Sequence, residues 1–135
     1  MPRTADLGGI EFVLDASALL AFLEGEPGAD VVQLVLDRSA LSTANWSEVC
    51  QRAIARHLDV ADLRDDVLGL GLELSPMTAL DAENAAVLWP AKRPAGLSLG
   101  DRACLALTER LGAPALTADR AWLDLSLGIP VRAIR

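Results

Sequence analysis

Short apolar runs alternate with helix-length amphipathic stretches along the whole of this 135-residue chain, and that alternation limits the fold more than any other feature. The runs fall at residues 10–15, 40–43, 72–74, 114–117 and 131–134. Between the first two, residues 17–23 read as a brief helix stopped by Gly25 and Pro27. Residues 28–37 read as a second, with apolar positions at Val31, Val32, Leu34, Val35 and Leu36. Asn45 is expected to open a third helix running to about His57, and Asp59 to cap a fourth ending near Gly69. Thr78 with Asp81 three residues on makes a capping box for a fifth helix that ends before Pro90. Residues 92–96 read as a loop, and residues 98–111 as a strongly periodic helix closed by Gly112. Strands separated by helices imply an α/β fold with a mainly parallel sheet.

In such a sheet every strand-to-helix junction lies along the carboxyl edge, where ligands bind. Four acids stand at apolar-to-helix transitions: Asp15 after Phe12-Val-Leu, Glu48 after Leu41-Ser-Thr, Asp101 after Leu97-Ser-Leu-Gly, and Asp119 after Leu116-Thr-Ala. Asp15, Glu48 and Asp119 are placed on one rim by the architecture alone, whereas the helix of Asp101 does not clearly follow a strand. Each acid also has a structural explanation. Asp15 and Asp119 suit helix caps, and Asn45 with Glu48 and Ser98 with Asp101 have capping-box spacing. Caps, however, have no reason to be acidic at all four sites.

Two carboxylates about 5 Å apart repel by roughly 3 kcal/mol at an effective dielectric near 20, and four together require protons or a cation. An oxygen-preferring divalent ion, Mg²⁺ or Mn²⁺, is the natural complement, because no cysteine or histidine cluster favours zinc. Such an ion polarises a phosphoryl oxygen and activates water, which points to metal-assisted phosphodiester hydrolysis. The net charge of −7 excludes nucleic-acid binding through a general basic surface, but not through a bound cation.

Lys92 is the sole lysine, so the remaining cations are arginines suited to two-point phosphate contacts. Arg102 and Arg120 directly follow acids, and Arg52 and Arg56 lie four and eight residues after Glu48. A plain Glu48–Arg52 helix ion pair and phosphate steering both fit that spacing. Lys92 and Arg93 are expected to be exposed for backbone contact. Trp46, Trp89 and Trp122 read as core or interface anchors rather than base-stacking platforms. Cys50 and Cys104 read as buried thiols, and the lone His57 as a solvated or capping residue.

With 52% hydrophobic residues, one domain is expected to bury roughly two thirds of its unfolded surface. No apolar run reaches the length of a membrane span, and the opening residues lack the apolar centre of a secretory signal, so a cytoplasmic protein is the expectation.

Four strings together resemble a PIN-domain ribonuclease, and more closely the toxin of a VapC-type toxin-antitoxin pair. They are Val13-Leu-Asp15-Ala-Ser17-Ala-Leu-Leu, Ser42-Thr43 with Asn45-x-x-Glu48, Gly96-Leu-Ser-Leu-Gly-Asp101-Arg-Ala-Cys-Leu-Ala-Leu, and Leu116-Thr117-Ala-Asp119-Arg-Ala-Trp122. The resemblance implies a three-layer α/β/α sandwich in which residues 10–135 form the domain and residues 1–9 an N-terminal extension. It implies a Mg²⁺- or Mn²⁺-dependent endoribonuclease that leaves a 3′-hydroxyl and a 5′-phosphate. Asp15 and Asp101 become the foremost metal ligands, with Glu48 and Asp119 binding a second ion, orienting water or holding the first. Ser17, Thr117 and Asn45 become supporting residues, and Arg52, Arg56, Arg93, Arg102 and Arg120 contacts for RNA or antitoxin. The implied partners are an RNA substrate, a VapB-like antitoxin and a second copy of the chain, in a homodimer and a toxin-antitoxin hetero-oligomer with no membrane association.

Two departures from the family pattern are the residues before the first strand and the Pro90–Pro94 bracket beside the site. Two other readings stay open on the residues alone. One is a PIN-like module that binds RNA or a partner without cutting. The other is a phosphatase of the haloacid dehalogenase type, against which stands Ser17 where such enzymes carry a second aspartate.

Overall fold

The computed structural model describes residues 9–89 and 96–135. Most of the expected extension, and Pro90, Lys92, Arg93 and Pro94, lie outside the described residues. Five strands alternate with six helices: β1 (Phe12–Leu14), α1 (Ala16–Glu24), α2 (Ala29–Val35), β2 (Ser39–Ser42), α3 (Thr43–Ala55), α4 (Val60–Gly69), β3 (Glu73–Ser75), α5 (Ala79–Val87), α6 (Leu99–Leu111), β4 (Ala115–Thr117) and β5 (Val131–Ala133). Single 3₁₀ turns at Leu36–Arg38 and Arg120–Asp124 complete the chain. All four strand pairings are parallel, in the order β3-β2-β1-β4-β5.

The three layers follow from the two-residue period of the strands. Phe12, Leu14, Leu41 and Leu116 face a core closed by α1 to α4, with Leu19, Val32, Val49 and Val67 buried in it. Val13, Ala40 and Ala115 point the other way, to a second core closed by α5, α6 and the last 3₁₀ turn, through Leu88, Cys104, Leu105, Leu107 and Trp122. Strands this short hold their place because both faces are covered.

Local chemistry sets the helix ends. Gly25 and Gly112 take left-handed φ values of 67° and 66° to close α1 and α6, a conformation without steric cost only for glycine. The Thr78–Asp81 box opens α5 and Asp59 caps α4. His57 is exposed and takes φ 60° just past α3.

Three expectations change. The second helix stops at Val35, and a 3₁₀ turn delivers the chain into β2. The third opens at Thr43 rather than Asn45, because the Ser42 hydroxyl accepts the Ala44 N–H at 3.2 Å and takes the cap. Glu48 therefore stands in the second turn of α3, not at the strand end. Trp122 is buried and Trp46 packs against the first core, but Trp89 is 71% exposed. Its ring lies 5.6 Å under the Arg102 guanidinium instead of in the core.

The sheet order has one consequence for function. From central β1 the chain moves outward through β2 and β3, then α6 carries it back to β4 on the other side of β1. The carboxyl ends of β1 and β4 thus flank the point where strand order reverses, the usual place for a crevice in an open α/β sheet.

Candidate active site

A cleft of ≈ 270 Å³ opens at that point, lined by Asp15, Ser17, Asn45, Glu48, Asp101, Asp119 and neighbouring apolar groups. All four acids singled out in the sequence therefore meet in one place, from β1, α3, α6 and the turn after β4. No three of the His, Cys, Asp or Glu side chains among the described residues already stand as a closed metal cage.

Asp15 is the centre of the arrangement. It ends β1, caps α1 and is only 5% exposed. One carboxylate oxygen, Oδ1, accepts the Ala18 N–H at 2.8 Å and the Ser17 hydroxyl at 2.7 Å; the other, Oδ2, accepts the Thr117 hydroxyl at 2.6 Å. Each hydroxyl is itself fed by a backbone donor from the turn after β4, Ala118 N–H to Ser17 Oγ at 2.9 Å and Asp119 N–H to Thr117 Oγ1 at 3.0 Å. Two short relays therefore run from the β4 turn into one carboxylate. They hold Asp15 in a single rotamer and tie to it the backbone that carries Asp119.

Every donor to Asp15 is neutral, and among the described residues no cation pairs with it. Burial pushes its pKa from 3.8 to about 6; the Thr117, Ser17 and Ala18 hydrogen bonds hold it down, and the charge of Asp101 raises it further. Cys104, wholly buried on α6, senses the same field. Its thiol is pushed well above its ordinary range by burial first, then by the charges of Asp15, Asp101 and Glu48. The thiol makes a weak S–H donation to the Leu14 carbonyl at 3.7 Å and is wholly buried, so it is an inert packing thiol rather than a nucleophile.

Asp101 reaches the cleft from the first turn of α6. Its carboxylate accepts the Ser98 N–H at 3.1 Å, and the Ser98 hydroxyl accepts the Asp101 N–H at 3.1 Å, a complete capping box. Asp119 caps the last 3₁₀ turn, accepting the Ala121 N–H at 3.0 Å. Capping and site placement are therefore one arrangement, since the cap fixes the carboxylate and the partial positive charge of the helix end moderates its repulsion.

Glu48 is held differently. The Asn45 amide nitrogen donates to Glu48 Oε1 at 2.9 Å and to the Gly100 carbonyl at 3.0 Å. Gly100, to which the sequence reading assigned no role, leaves the space that Glu48 occupies: a Cβ there would lie 2.5 Å from Glu48 Oε1. A glycine one residue before a candidate ligand was the available signal for this close approach.

The arginines divide by position. Arg52 does not pair with Glu48: it binds Glu24 through two hydrogen bonds of 3.0 Å, and Arg56 joins the same carboxylate. The α1 acid presents both of its oxygens to the two guanidiniums across the helix interface. Arg102 turns away from the cleft to the Ala85 carbonyl at 3.0 Å, the Leu97 carbonyl at 3.3 Å and the Trp89 ring. Arg120 donates to the Arg135 carbonyl at 3.0 Å. The described contacts of these four arginines therefore lie elsewhere than Asp15, Glu48 and Asp101, and Arg93 lies outside the described residues.

The PIN domain family model matches residues 12–126, most of the chain. The chain belongs to the PIN domain family. Ribonuclease VapC42 of Mycobacterium tuberculosis and VapC ribonuclease Mb2780c of Mycobacterium bovis are each 34% identical to it, over 77% of this chain and 87% of theirs. Among solved structures, a toxin-antitoxin complex from Klebsiella pneumoniae superposes with a TM-score of 0.72 at 19% identity, covering 93% of this chain and 98% of that one. DNA-bound VapBC from Salmonella typhimurium gives 0.69 at 14% identity, covering 93% and 99%. These likenesses show that the PIN domain here has the three-layer fold of those chains. No helix among its described residues is long and apolar enough to cross a membrane.

Proposed function

We propose that this PIN domain is the toxin of a toxin-antitoxin pair and acts in the cytoplasm as a divalent-metal-dependent endoribonuclease, with Mg²⁺ or Mn²⁺ as the ion. The observation that carries the reading is a buried aspartate, without a cationic partner among the described residues, at the centre of a four-acid cleft. Nothing in a purely structural role calls for that arrangement, which leaves negative charge for an incoming cation. The ribonuclease names of its 34%-identical relatives support the substrate, and the toxin-antitoxin assemblies among structures of like fold support a VapB-like antitoxin as partner.

The donor chemistry fits a hard ion: side-chain oxygens from Asp15, Asp101, Glu48 and Asp119, with no soft ligand exposed in the cleft. Asp15 and Asp101 would hold it, with Glu48 and Asp119 completing or orienting its surroundings. When bound, the ion supplies Lewis-acid polarisation of a phosphodiester and a water of lowered pKa. The chain's own residues do the rest. Ser17 and Thr117 keep both oxygens of Asp15 oriented, the α6 capping box aims Asp101, and Asn45 holds Glu48 at the wall. Because the donors to Asp15 among the described residues are all neutral, an ion rather than a side chain can neutralise it. Arg52, Arg56, Arg102 and Arg120 remain proposed contacts for RNA or antitoxin outside the metal-binding floor, and a second copy of the chain a proposed partner.

The deciding experiment is cleavage of candidate RNAs in Mg²⁺ by the wild type and by Asp101→Asn. The substitution is expected to reduce the rate about a thousandfold, the several kcal/mol that a metal's charge stabilisation contributes. Equal rates would overturn the reading. Carboxylate-dependent Mn²⁺ binding in calorimetry with no turnover on any RNA would instead make the protein a non-cleaving binding module.

A further inference from the structure

Asn45 is 1% exposed, yet its Oδ1 has no hydrogen-bond partner. Both groups facing its amide nitrogen, Glu48 Oε1 and the Gly100 carbonyl, are acceptors, so the amide cannot be turned over to satisfy the orphan oxygen. A buried carbonyl left unpaired destabilises the fold, because it gives up its water without a replacement. As a contribution to the fold alone, an apolar side chain would serve this position with less penalty. What the asparagine accomplishes instead is a bridge: one NH₂ group joins a carboxylate on α3 to the backbone of the first turn of α6, 55 residues away. The residue after that carbonyl is Asp101.

Gly100 is the other half of the contact. Any side chain there would meet the Glu48 carboxylate, with Cβ approaching to 2.5–2.7 Å of its carbon and both oxygens. Its φ is an ordinary helical one, so no left-handed conformation accounts for the glycine. Alanine would be the better helix former at this position. Glycine is therefore unfavourable locally, and the space it leaves is filled by Glu48.

We propose that Asn45 and Gly100 act together as a positioning clamp that sets the Glu48 carboxylate against the Asp101 helix, fixing the separation of two acids from different elements. Neither residue touches the ion or the RNA; both act through Glu48. The inference rests on the metal-dependent reading above and assigns a job inside the same cleft. Groups that orient a metal's ligands typically change affinity or activity about 10- to 100-fold when lost.

The test is a double-mutant cycle read by Mn²⁺ titration calorimetry on the full chain, with melting temperatures alongside. Asn45→Ala is expected to weaken Mn²⁺ binding about tenfold in the wild-type background and less than about twofold in Glu48→Ala, since the clamp then has nothing to hold. Gly100→Ala keeps Asn45 intact and is expected to weaken Mn²⁺ about as much while its melting temperature stays level or rises. Equal effects of Asn45→Ala with and without Glu48 overturn the inference. So does a lowered melting temperature with unchanged Mn²⁺ affinity, which would mark Asn45 as a residue of the fold only. If the wild type itself neither binds Mn²⁺ nor cleaves RNA, the metal-dependent reading falls and takes the clamp with it. If the wild type does both and the variants match it, the clamp alone falls.

Discussion

Asp15 and Asp81 are both buried aspartates at helix N-termini, and they differ in one respect. Asp81, 1% exposed, receives the Arg110 guanidinium on both oxygens, at 2.8 and 3.0 Å. Burial raises its pKa, but the Arg110 hydrogen bonds, the Thr78 backbone donor and the Arg110 charge outweigh that and leave it below 3.8. Asp15, 5% exposed, receives only hydroxyls and an amide, and it is pushed up to about 6. The first acid came with its counter-charge and is a structural joint between α5 and α6. The second has no cationic partner among the described residues, and its raised pKa means that ionising it costs the folded state roughly 3 kcal/mol relative to the unfolded chain.

Exchanging each acid for its amide should break the comparison most widely. Asp15→Asn is expected to abolish cleavage, by about a thousandfold in kcat/KM, while metal-free stability at pH 7 changes little, because removing the buried charge offsets the lost acceptor for a hydroxyl. Asp81→Asn should do the reverse, costing about 1–3 kcal/mol as Arg110 loses its partner and leaving cleavage by the folded fraction unchanged. Denaturant unfolding at pH 7, with and without Mn²⁺, together with single-substrate kinetics, checks both. An Asp81→Asn protein as stable as the wild type, or an Asp15→Asn protein that still cleaves, would dissolve the distinction.

The pH dependence should separate the two acids with opposite sign. Because the folded state raises the pKa of Asp15, its native form holds more protons than the unfolded chain between about pH 4 and 6. Metal-free stability should therefore fall across that window as pH rises, by up to about 3 kcal/mol, and the fall should vanish in Asp15→Asn. Asp81, with its pKa depressed, contributes stability that is present above pH 3.8 and lost as pH falls below it. A flat stability profile between pH 4 and 6 in the wild type would contradict the burial argument.

Smaller effects should sharpen the picture. Ser17→Ala and Thr117→Val each remove a hydroxyl that holds the Asp15 pKa down, so the pH at which Asp15 ionises should move upward, at a cost of about 1.5–3 kcal/mol per lost charge-assisted bond. A chemical-shift titration of the Asp15 carboxyl reads this directly, and a downward shift would reject the relay description. Least of all, Glu24→Ala releases half-exposed Arg52 and Arg56 and should change stability, read by denaturant unfolding, by less than about 1 kcal/mol.

The helical arginines show where linear spacing misleads. Arg52 lies one turn after Glu48 in the sequence, which suits an ion pair, but α3 packs against α1 and the Glu24 carboxylate takes it with both oxygens. Trp89 is a similar case. Its apolar neighbours suggest burial, whereas α5 ends at Val87 and leaves the ring outside, with Arg102 stacked on it. In both, the competitor comes from another element, and no local pattern contains it.

Alternation of strand and helix, caps such as Asp59, Thr78 and Ser98, and the glycine stops at Gly25 and Gly112 are local properties, so the chain by itself determined the α/β class and most element ends. It also determined that four acids stand near helix starts. Only the tertiary structure decided that Asp101, whose helix follows no strand directly, reaches the same cleft, because α6 carries the chain back across β1. Packing also decided the charge around Asp15 and Asp81, since Asp81 lies beside an arginine and Asp15 beside two hydroxyls. Burial and the identity of the nearest charge set the ionisation of a carboxylate, and both depend on residues tens of positions away along the chain.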